Sequence, residues 1–282
     1  MKQFLLLLFC LFFASLVNAQ PIPKSIDKPE KTKPKKEETP KVVVKTKIIY
    51  VEKPAPKKEG FEIEMIAVEG GSFNMGSNES DYADEKPIHT VTVSSFKMGK
   101  YEITQAQWKA VMTTNPSYFS ECDTCPVEYV SYTDVQGFIE ELNYKTGKKY
   151  RLPTEAEWEF AARGGNNSND YIYSGSSTPS KVAWTDENSK GKTHPVGKLR
   201  PNELGLYDMS GNVLEWCSDW YGEDYYSNSP SNNPEGPVSG TRRVLRGSSW
   251  YLLASLCRVA DRFIFDPSRR FGFIGFRVVL SQ

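Results

Sequence analysis

The clearest structural signal in the sequence is the stretch RLPTEAEWEFAARGG at residues 151–165. Thr154 is a favourable N-cap residue, and Glu157 stands three positions later, where its carboxylate can accept a hydrogen bond from the backbone N–H of Thr154. Trp158 begins an apolar face, and Gly164 provides a stop signal. The stretch therefore predicts a short helix that starts after Thr154 and ends before the glycine pair.

Two more helices are predicted upstream of this stretch. Thr104 and Gln107 form a capping-box pattern ahead of one apolar run. Ser131 opens another helix, whose apolar residues recur at helical spacing until Gly147. All three predicted helices therefore precede a long segment that has little periodicity.

The predicted strands are short and scattered. They are Glu62–Val68, Ser72–Met75, His89–Val93, Arg243–Arg246 and Ile274–Leu280. Between Gly165 and Arg243 the chain is rich in Asn, Ser, Gly, Asp and Trp, so ions, disulfides or buried tryptophans would have to hold this segment. Together these features predict an irregular α+β fold with little regular secondary structure.

Charge and histidine content exclude several classes of function. The 282 residues include 35 basic and 35 acidic side chains, and this balance gives no support for a nucleic-acid partner. His89 and His194 are the only histidines in the sequence, so a three-histidine zinc site is impossible. A histidine-rich iron site is disfavoured for the same reason.

The chain divides into three segments by composition. Residues 1–19 contain one lysine, a short apolar run and small residues at the end, as in a cleavable secretory signal peptide. Residues 20–60 form a spacer rich in lysine and proline that carries a charge of +6 and is expected to be disordered, either as a plain solvated linker or as a basic tether to an acidic envelope surface. Residues 61–282 carry a charge of −7 and are long enough for a real core. We expect a secreted, periplasmic or cell-envelope protein that has no transmembrane segment after signal cleavage.

Several ordered motifs resemble one known family. They are Glu69–Gly76 (EGGSFNMG), Tyr101–Thr104 (YEIT), Pro126–Glu128 (PVE), Arg151–Glu159 (RLPTEAEWE), Gly205–Trp216 (GLYDMSGNVLEW), Arg246–Trp250 (RGSSW) and Gly275–Arg277 (GFR). In this order they resemble the sulfatase-modifying-factor family, which includes formylglycine-generating enzyme, over about residues 62–280. The resemblance implies a variant of the C-type-lectin-like fold, with which the predicted helices, short strands and long loops agree.

The resemblance also implies an oxidase site, from which this sequence departs. Formylglycine-generating enzymes oxidise a cysteine of a sulfatase with oxygen and a Cu(I) ion held by two cysteines, and soft thiolates suit that ion. If the family's motif is aligned at Ser249, its second cysteine falls on Cys257 but its first falls on Leu252. If the motif is aligned at Arg258–Arg262, both cysteine positions fall on other residues. Copper is therefore not expected, and Ser249 and Cys257 are catalytic candidates only if oxidase activity survives.

Four cysteines follow the predicted signal peptide, and an even count in a secreted chain favours disulfides. Cys122 and Cys125 are compatible with a local bridge, a redox dithiol or half of a zinc site, and the absence of a second CxxC motif favours the bridge. Cys217 and Cys257 are then left to pair. Such a bridge would close a loop of about 40 residues and would exclude Cys257 from copper chemistry.

Calcium is the ion that the resemblance favours. In the family, the motif at Gly205–Trp216 binds calcium through two side chains and two backbone carbonyls, which correspond here to Asp208 and Glu215 and to the carbonyls of Gly211 and Val213. Hard oxygen ligands of this kind suit calcium. The alternative is that Asp208 caps a turn and Glu215 forms an ion pair.

Three classes of function remain. The favoured one is a non-catalytic, calcium-stabilised module that binds a protein or glycan partner in the cell envelope. The second is a formylglycine-generating oxidase with an altered active site. The third, a relative of the ergothioneine-type sulfoxide synthases, is least favoured because that group uses an iron site with several histidines from an added domain. Copper-dependent turnover would distinguish the second class from the first.

Overall fold

The computed structural model describes residues 62–78 and 81–281. The predicted signal peptide at 1–19 and the predicted spacer at 20–60 lie outside these residues. Within the two described ranges, no helix is long and apolar enough to cross a membrane.

The helices in the described ranges are α1 (Gln105–Met112), α2 (Tyr132–Thr146), α3 (Glu155–Ala162) and α4 (Tyr225–Asn228). The first three start where the sequence predicts. Thr104, Ser131 and Thr154 each accept a hydrogen bond from the backbone N–H three residues later, and that later side chain accepts one in return. Each capping box satisfies two backbone N–H groups that would otherwise lack a partner, and this fixes the start of the helix.

The strands, in chain order, are β1 (Met65–Val68), β2 (Gly71–Met75), β3 (His89–Val93), β4 (Phe96–Gly99), β5 (Tyr150–Arg151), β6 (Ala183–Trp184), β7 (Ser210–Gly211), β8 (Leu214–Trp220), β9 (Arg243–Arg246), β10 (Phe263–Phe265), β11 (Ile274–Gly275) and β12 (Val279–Ser281). One sheet has the order β1-β4-β12-β5 and is antiparallel. A second sheet has the order β10-β9-β8-β11, in which β11 runs parallel to β8. An antiparallel β2–β3 pair and a parallel β6–β7 pair lie outside these sheets. Short strands in several sheets, mixed with helices, make the irregular α+β fold that the sequence predicts.

Two strand predictions differ from the structure. The predicted strand Ile274–Leu280 is split into β11 and β12, which belong to different sheets. The seven-residue strand β8 lies in the segment that was expected to lack regular structure. Most of its residues are buried, Glu215 and Asp219 included, so they do not alternate between apolar and polar. Because periodicity reveals a strand through that alternation, β8 is not recognisable from the sequence.

Helix α3 is buried on every side, and all eight of its residues are buried. Its apolar side chains belong to a core cluster with Met98, Leu206 and Val244. Its three glutamates are buried as well, whereas the sequence predicts a single apolar face. Leaving one buried charge without its partner costs roughly 3–5 kcal/mol, so such a helix requires a cation for each carboxylate.

A network of ion pairs supplies cations to Glu155 and Glu159, while Glu157 pairs separately with Arg151. One group of ion pairs joins Glu155 and Glu159 to Arg163, Arg246 and Arg262, and another joins Glu85 and Asp261 to Arg258. A hydrogen bond from Arg246 to the backbone carbonyl oxygen of Asp261 connects the two groups into a network with four carboxylates and four guanidinium groups, which is neutral as a whole. Within it, Arg262 donates hydrogen bonds to both carboxylate oxygens of Glu155, at 2.6 and 2.8 Å. The charges of the network cancel, which allows the helix to be buried.

Candidate functional site

The predicted calcium-binding residues lie around a tight turn that leads into strand β8. Asp208 is buried in a left-handed conformation, with φ of 57°. Its Oδ2 atom accepts a hydrogen bond from the backbone N–H of Gly197 at 2.7 Å, whereas its Oδ1 atom is buried without a hydrogen-bond partner. Gly211 has φ of 82°, and a Cβ atom there would lie 2.4 Å from the carbonyl oxygen of Trp184, so the turn requires glycine. The turn thus presents one unsatisfied carboxylate oxygen.

Glu215, the second predicted side-chain ligand, is held in an ion pair. Both of its carboxylate oxygens accept hydrogen bonds from Arg277 at 2.7 Å, and the indole N–H of Trp158 donates to Oε2 at 2.8 Å. This arrangement is the ion-pair alternative for Glu215. Arg277 lies 62 residues further along the chain, so nothing in the local sequence indicated the pair.

Glu102 lies beside the same turn, although sequence analysis assigned it no role of its own. It is buried, and its carboxylate accepts hydrogen bonds from the backbone N–H of Val213 at 3.1 Å and from the side-chain amide of Asn212 at 2.7 Å. The available signal was its place in the Tyr101–Thr104 motif, one of the runs that carry the family resemblance. Glu102 therefore anchors the turn that holds the predicted calcium ligands.

The carboxylate cluster, which comprises Glu102, Asp208, Glu215 and Arg277, contains three carboxyl groups and one guanidinium. Burial raises the pKa of Glu102 well above its usual value, and the charges of Asp208 and Glu215 act in the same direction. Burial also raises the pKa of Asp208 to about 6. When all three carboxylates are ionised, one guanidinium leaves two negative charges uncompensated, in contrast to the neutral network around α3. A divalent cation would balance them.

The residues of the cluster fit calcium in part. Asp208 offers a buried oxygen without a partner, and carboxylate and carbonyl oxygens are the ligands that calcium prefers. Glu215, however, is already engaged by Arg277. Across residues 62–78 and 81–281, no group of three or more His, Cys, Asp or Glu side chains is arranged to hold a metal ion. The predicted site uses two side chains and two carbonyls, so calcium binding stays a prediction.

The cysteines of the described residues form one disulfide. It joins Cys122 to Cys125, with a Cα–Cα distance of 5.2 Å, as their spacing favours. The predicted Cys217–Cys257 bridge is wrong, because both residues are buried free thiols. Cys217 packs in the core cluster, whereas the thiol of Cys257 donates a hydrogen bond to the carbonyl oxygen of Leu253 at 3.8 Å. Even numbers of cysteines do not ensure pairing, since a buried free cysteine also packs well as a small apolar side chain.

Burial disfavours the reactive thiolate form of both free cysteines. Burial raises the pKa of Cys257 to about 12 and raises the pKa of Cys217 well above its usual value. The thiolate is the form that binds metals and acts as a nucleophile. Ser249, the other candidate for the oxidase reaction, is buried, and its hydroxyl accepts a hydrogen bond from the backbone N–H of Tyr251 at 3.4 Å.

A continuous set of aromatic rings starts next to Ser249. This aromatic surface consists of Tyr118, Phe119, Trp250, Tyr251, Phe273, Phe271 and Phe265, in which successive ring centroids lie 5.0 to 5.7 Å apart. Tyr118 is 57% exposed, and Leu253, two residues beyond Tyr251, is 47% exposed. Trp250 and Phe273 are buried, and the other four rings are partly buried, so the set runs from the exposed Tyr118 into the interior. Aromatic side chains at a surface are typical of binding sites.

A buried carboxylate positions one end of the aromatic surface. Glu128 accepts hydrogen bonds from the backbone N–H groups of Tyr118 at 3.0 Å and Phe119 at 2.8 Å. Burial raises its pKa to about 7, although these two hydrogen bonds oppose the shift. The backbone at Tyr118 and Phe119 is therefore held by Glu128, a carboxyl group whose pKa lies near neutral pH.

Comparison with protein families agrees with the motifs and the fold. The family model described as "Sulfatase-modifying factor enzyme 1-like domain" matches residues 51–282, which is most of the chain. The chain belongs to the sulfatase-modifying-factor family.

Proteins with several different names are similar to this chain in sequence or in fold. "Chaperone protein LppX" of Paenibacillus barcinonensis is 34% identical over 269 residues, which cover 78% of this chain and 90% of LppX. Formylglycine-generating enzyme of Streptomyces coelicolor is 41% identical over 167 residues, which cover 54% of this chain and 51% of the enzyme. Among solved structures, "Treponema denticola variable protein 1" has a TM-score of 0.72 at 33% identity and covers 77% of this chain and 95% of that protein. This structural similarity confirms the C-type-lectin-like variant of the α+β fold. The chain spans only about half the length of the Streptomyces enzyme.

This member of the sulfatase-modifying-factor family departs from the oxidase pattern at a specific place. Leu252, where alignment at Ser249 puts the first copper-binding cysteine, is a buried apolar residue with no metal-binding atom. The cysteine that aligns with the second position, Cys257, is buried and protonated. The fold of the family is retained, while the pair of thiolates is not.

Proposed function

We propose that this protein is a non-catalytic binding module of the cell envelope that is stabilised by calcium. The proposal is carried by the state of its cysteines. Cys257 has a pKa raised to about 12, Cys217 lies in the core, and Leu252 stands where the family has a cysteine. Because Cu(I) in this family is held by two thiolates, the described residues lack the ligands that the oxidase reaction requires.

The alternative is a formylglycine-generating oxidase with an altered active site. The observation in its favour is the 41% identity to the Streptomyces enzyme. In that case Cys257 would have to act without a partner cysteine, and it would first have to lose its proton inside an apolar environment. The two functions therefore differ in one measurable property, which is turnover that depends on Cys257.

An oxidase assay on the purified protein separates the two functions. A peptide with the cysteine motif of a sulfatase is incubated with protein, Cu(I) and oxygen, and the aldehyde product is measured by mass spectrometry. The Streptomyces enzyme serves as the positive control. We expect no product from the wild type or from Cys257→Ala. Product that forms with the wild type and disappears in Cys257→Ala would establish the oxidase.

Calcium would be held by Asp208, by the carbonyls of Gly211 and Val213 and, through its remaining lone pairs, by Glu215. Bound there, it would supply the positive charge that the carboxylate cluster lacks. The turn also supports the aromatic surface, because the carbonyl oxygen of Asn212 accepts a hydrogen bond from the backbone N–H of Trp250 at 2.8 Å. The ion would thus stabilise the base of the binding surface and take no part in a reaction.

The aromatic surface is the proposed contact for a protein or glycan partner in the envelope. The Cys122–Cys125 disulfide supports export of the chain, because disulfides persist in oxidising compartments. The predicted signal peptide at 1–19 would direct that export, and the spacer at 20–60 would set the distance from the membrane or wall. Binding to envelope extracts should fall for Tyr118→Ala and stay unchanged for Tyr144→Ala, an exposed tyrosine on α2 outside the surface. Equal binding by both variants would remove this surface from consideration.

A further inference from the structure

An open cavity of about 640 Å³ lies apart from the residues considered so far. This lysine cavity is lined by Lys97, Lys148, Lys149, Leu280 and Ser281. Three of the five lining residues are cationic and none is acidic. The composition is unusual for a domain whose net charge is −7.

The sheet brings these residues together from three parts of the chain. Lys97 on β4 lies opposite Leu280 on β12, and Leu280 lies opposite Tyr150 at the start of β5. Lys148 and Lys149 directly precede Tyr150. Hydrogen-bonded strands hold Lys97, Leu280 and Ser281, and Lys148 and Lys149 lie in the short turn that leads directly into β5, so the fold places the lysines near one another.

No carboxylate of residues 62–78 and 81–281 neutralises the ammonium groups of the lysine cavity. All three lysines are exposed, and none of them forms an ion pair with an acidic side chain of the described residues. Lys148 Nζ donates a hydrogen bond to the hydroxyl of Tyr150 at 3.4 Å, which leaves its charge uncompensated. Elsewhere on the domain a lysine does find a carboxylate, as Lys100 does with Glu64 at 2.6 Å. Three like charges that face one cavity repel one another, so an anion bound there would relieve the repulsion.

We propose that the lysine cavity binds a phosphate-bearing anion. Lysine ammonium groups are compact point charges that suit phosphate oxygens. Ser281 lines the cavity, and its Oγ atom accepts a hydrogen bond from Arg151 Nε at 3.2 Å, so that contact does not use the O–H proton of Ser281. Leu280 offers an apolar contact for the group that carries the phosphate. This site lies on elements other than those of the aromatic surface, and it stands independently of the proposed function.

Calorimetric titration with pyrophosphate at low salt tests the site. Wild type should bind saturably, and Lys148→Gln/Lys149→Gln should weaken binding by about tenfold or more, because two of three ammonium contacts are lost. The control is Lys192→Gln/Lys198→Gln, which makes the same change in net charge at exposed lysines of another loop. The control should bind within about twofold of wild type, and its salt dependence should be steeper than that of the cavity variant. All substituted lysines are exposed, and circular dichroism verifies that each variant is folded.

Vesicle binding then identifies the source of the phosphate. A lipid headgroup is indicated if the protein co-sediments with phosphatidylglycerol vesicles but not with phosphatidylcholine vesicles, and if pyrophosphate prevents this co-sedimentation. Pyrophosphate binding without binding to either vesicle would indicate a soluble phosphate compound. The proposal is overturned if pyrophosphate shows no saturable binding, or if the cavity variant and the control lose affinity equally.

Discussion

Loss of Arg262 should destabilise the domain far more than loss of an equally well-formed ion pair at the surface. In Arg262→Met, Glu155 loses two hydrogen bonds of 2.6 and 2.8 Å and retains Arg246 at 3.4 Å as its nearest cation. The carbonyl oxygen of Asp84 loses a donor at 2.6 Å as well. Breaking a buried pair from one side costs roughly 3–5 kcal/mol. For a domain of this size that corresponds to a fall in Tm of about 6–20 °C.

The matched control is Arg270→Met. Arg270 also donates two hydrogen bonds to one carboxylate, that of Asp134 at 2.6 and 2.7 Å, but its side chain is 49% exposed. An exposed pair contributes about 0–1 kcal/mol, because water replaces the lost partner. The double variant Arg262→Met/Glu155→Gln should recover part of the stability lost in Arg262→Met, since it no longer contains a poorly paired buried charge.

Urea unfolding at pH 7, followed by tryptophan fluorescence, measures these differences in the free energy of unfolding. Thermal unfolding of the same variants gives the corresponding changes in Tm. Similar losses for Arg262→Met and Arg270→Met would refute the reasoning, because burial would then have no effect on the worth of an ion pair. A loss of less than about 1 kcal/mol for Arg262→Met would do the same.

Three further predictions concern calcium, pH and the thiols. Chelation by EGTA should lower the Tm of the wild type, by the equivalent of about 2.7 kcal/mol if calcium had been present at a hundred times its Kd. Asp208→Ala should abolish this response, whereas Asp224→Ala, at an exposed position, should retain it. Burial raises the pKa of Glu128 from 4.5 to about 7 in the native state, so the native state holds this proton more tightly than the unfolded state does. The free energy of unfolding should therefore fall as pH rises from 4.5 to 7, by at most about 3 kcal/mol. Glu128→Gln should remove that part of the pH dependence, and identical pH profiles for the two proteins would contradict the raised pKa. Alkylation without reduction should leave Cys217 and Cys257 unmodified in the native protein and should modify both after denaturation. Recovery of a Cys217–Cys257 disulfide peptide would contradict the finding that both are free thiols.

The features that the sequence predicted are those that depend on neighbours within a few residues. The capping boxes at Thr104, Ser131 and Thr154 satisfy their hydrogen bonds locally, and all three helices begin there. The strand His89–Val93 is also found with the predicted bounds, because its exposed side leaves a visible alternation. Local patterns of this kind can be recognised in the sequence without knowledge of the tertiary fold.

The features that the sequence did not predict depend on distant partners. The pairing of Glu215 with Arg277 and the approach of Glu102 to the same turn arise when separate segments pack together. Strand β8 was missed because both of its faces meet other parts of the core. The supposed Cys217–Cys257 bridge followed from a count of cysteines, which carries no information about the distance between them. Motifs located the candidate site, and packing decided which atoms in it remain available.

The place of β12 in its sheet has a consequence for the order in which the chain can fold. This strand, at Val279–Ser281, lies between β4 and β5, so an interior position of the sheet stays empty until the final residues of the domain are available. Strand β4 pairs with β12 and is synthesised about 180 residues before it, and contacts between such distant residues make folding slow. A nascent chain of this protein therefore remains incompletely folded throughout synthesis. For a chain that is exported as proposed, this delay would favour translocation before the sheet is complete.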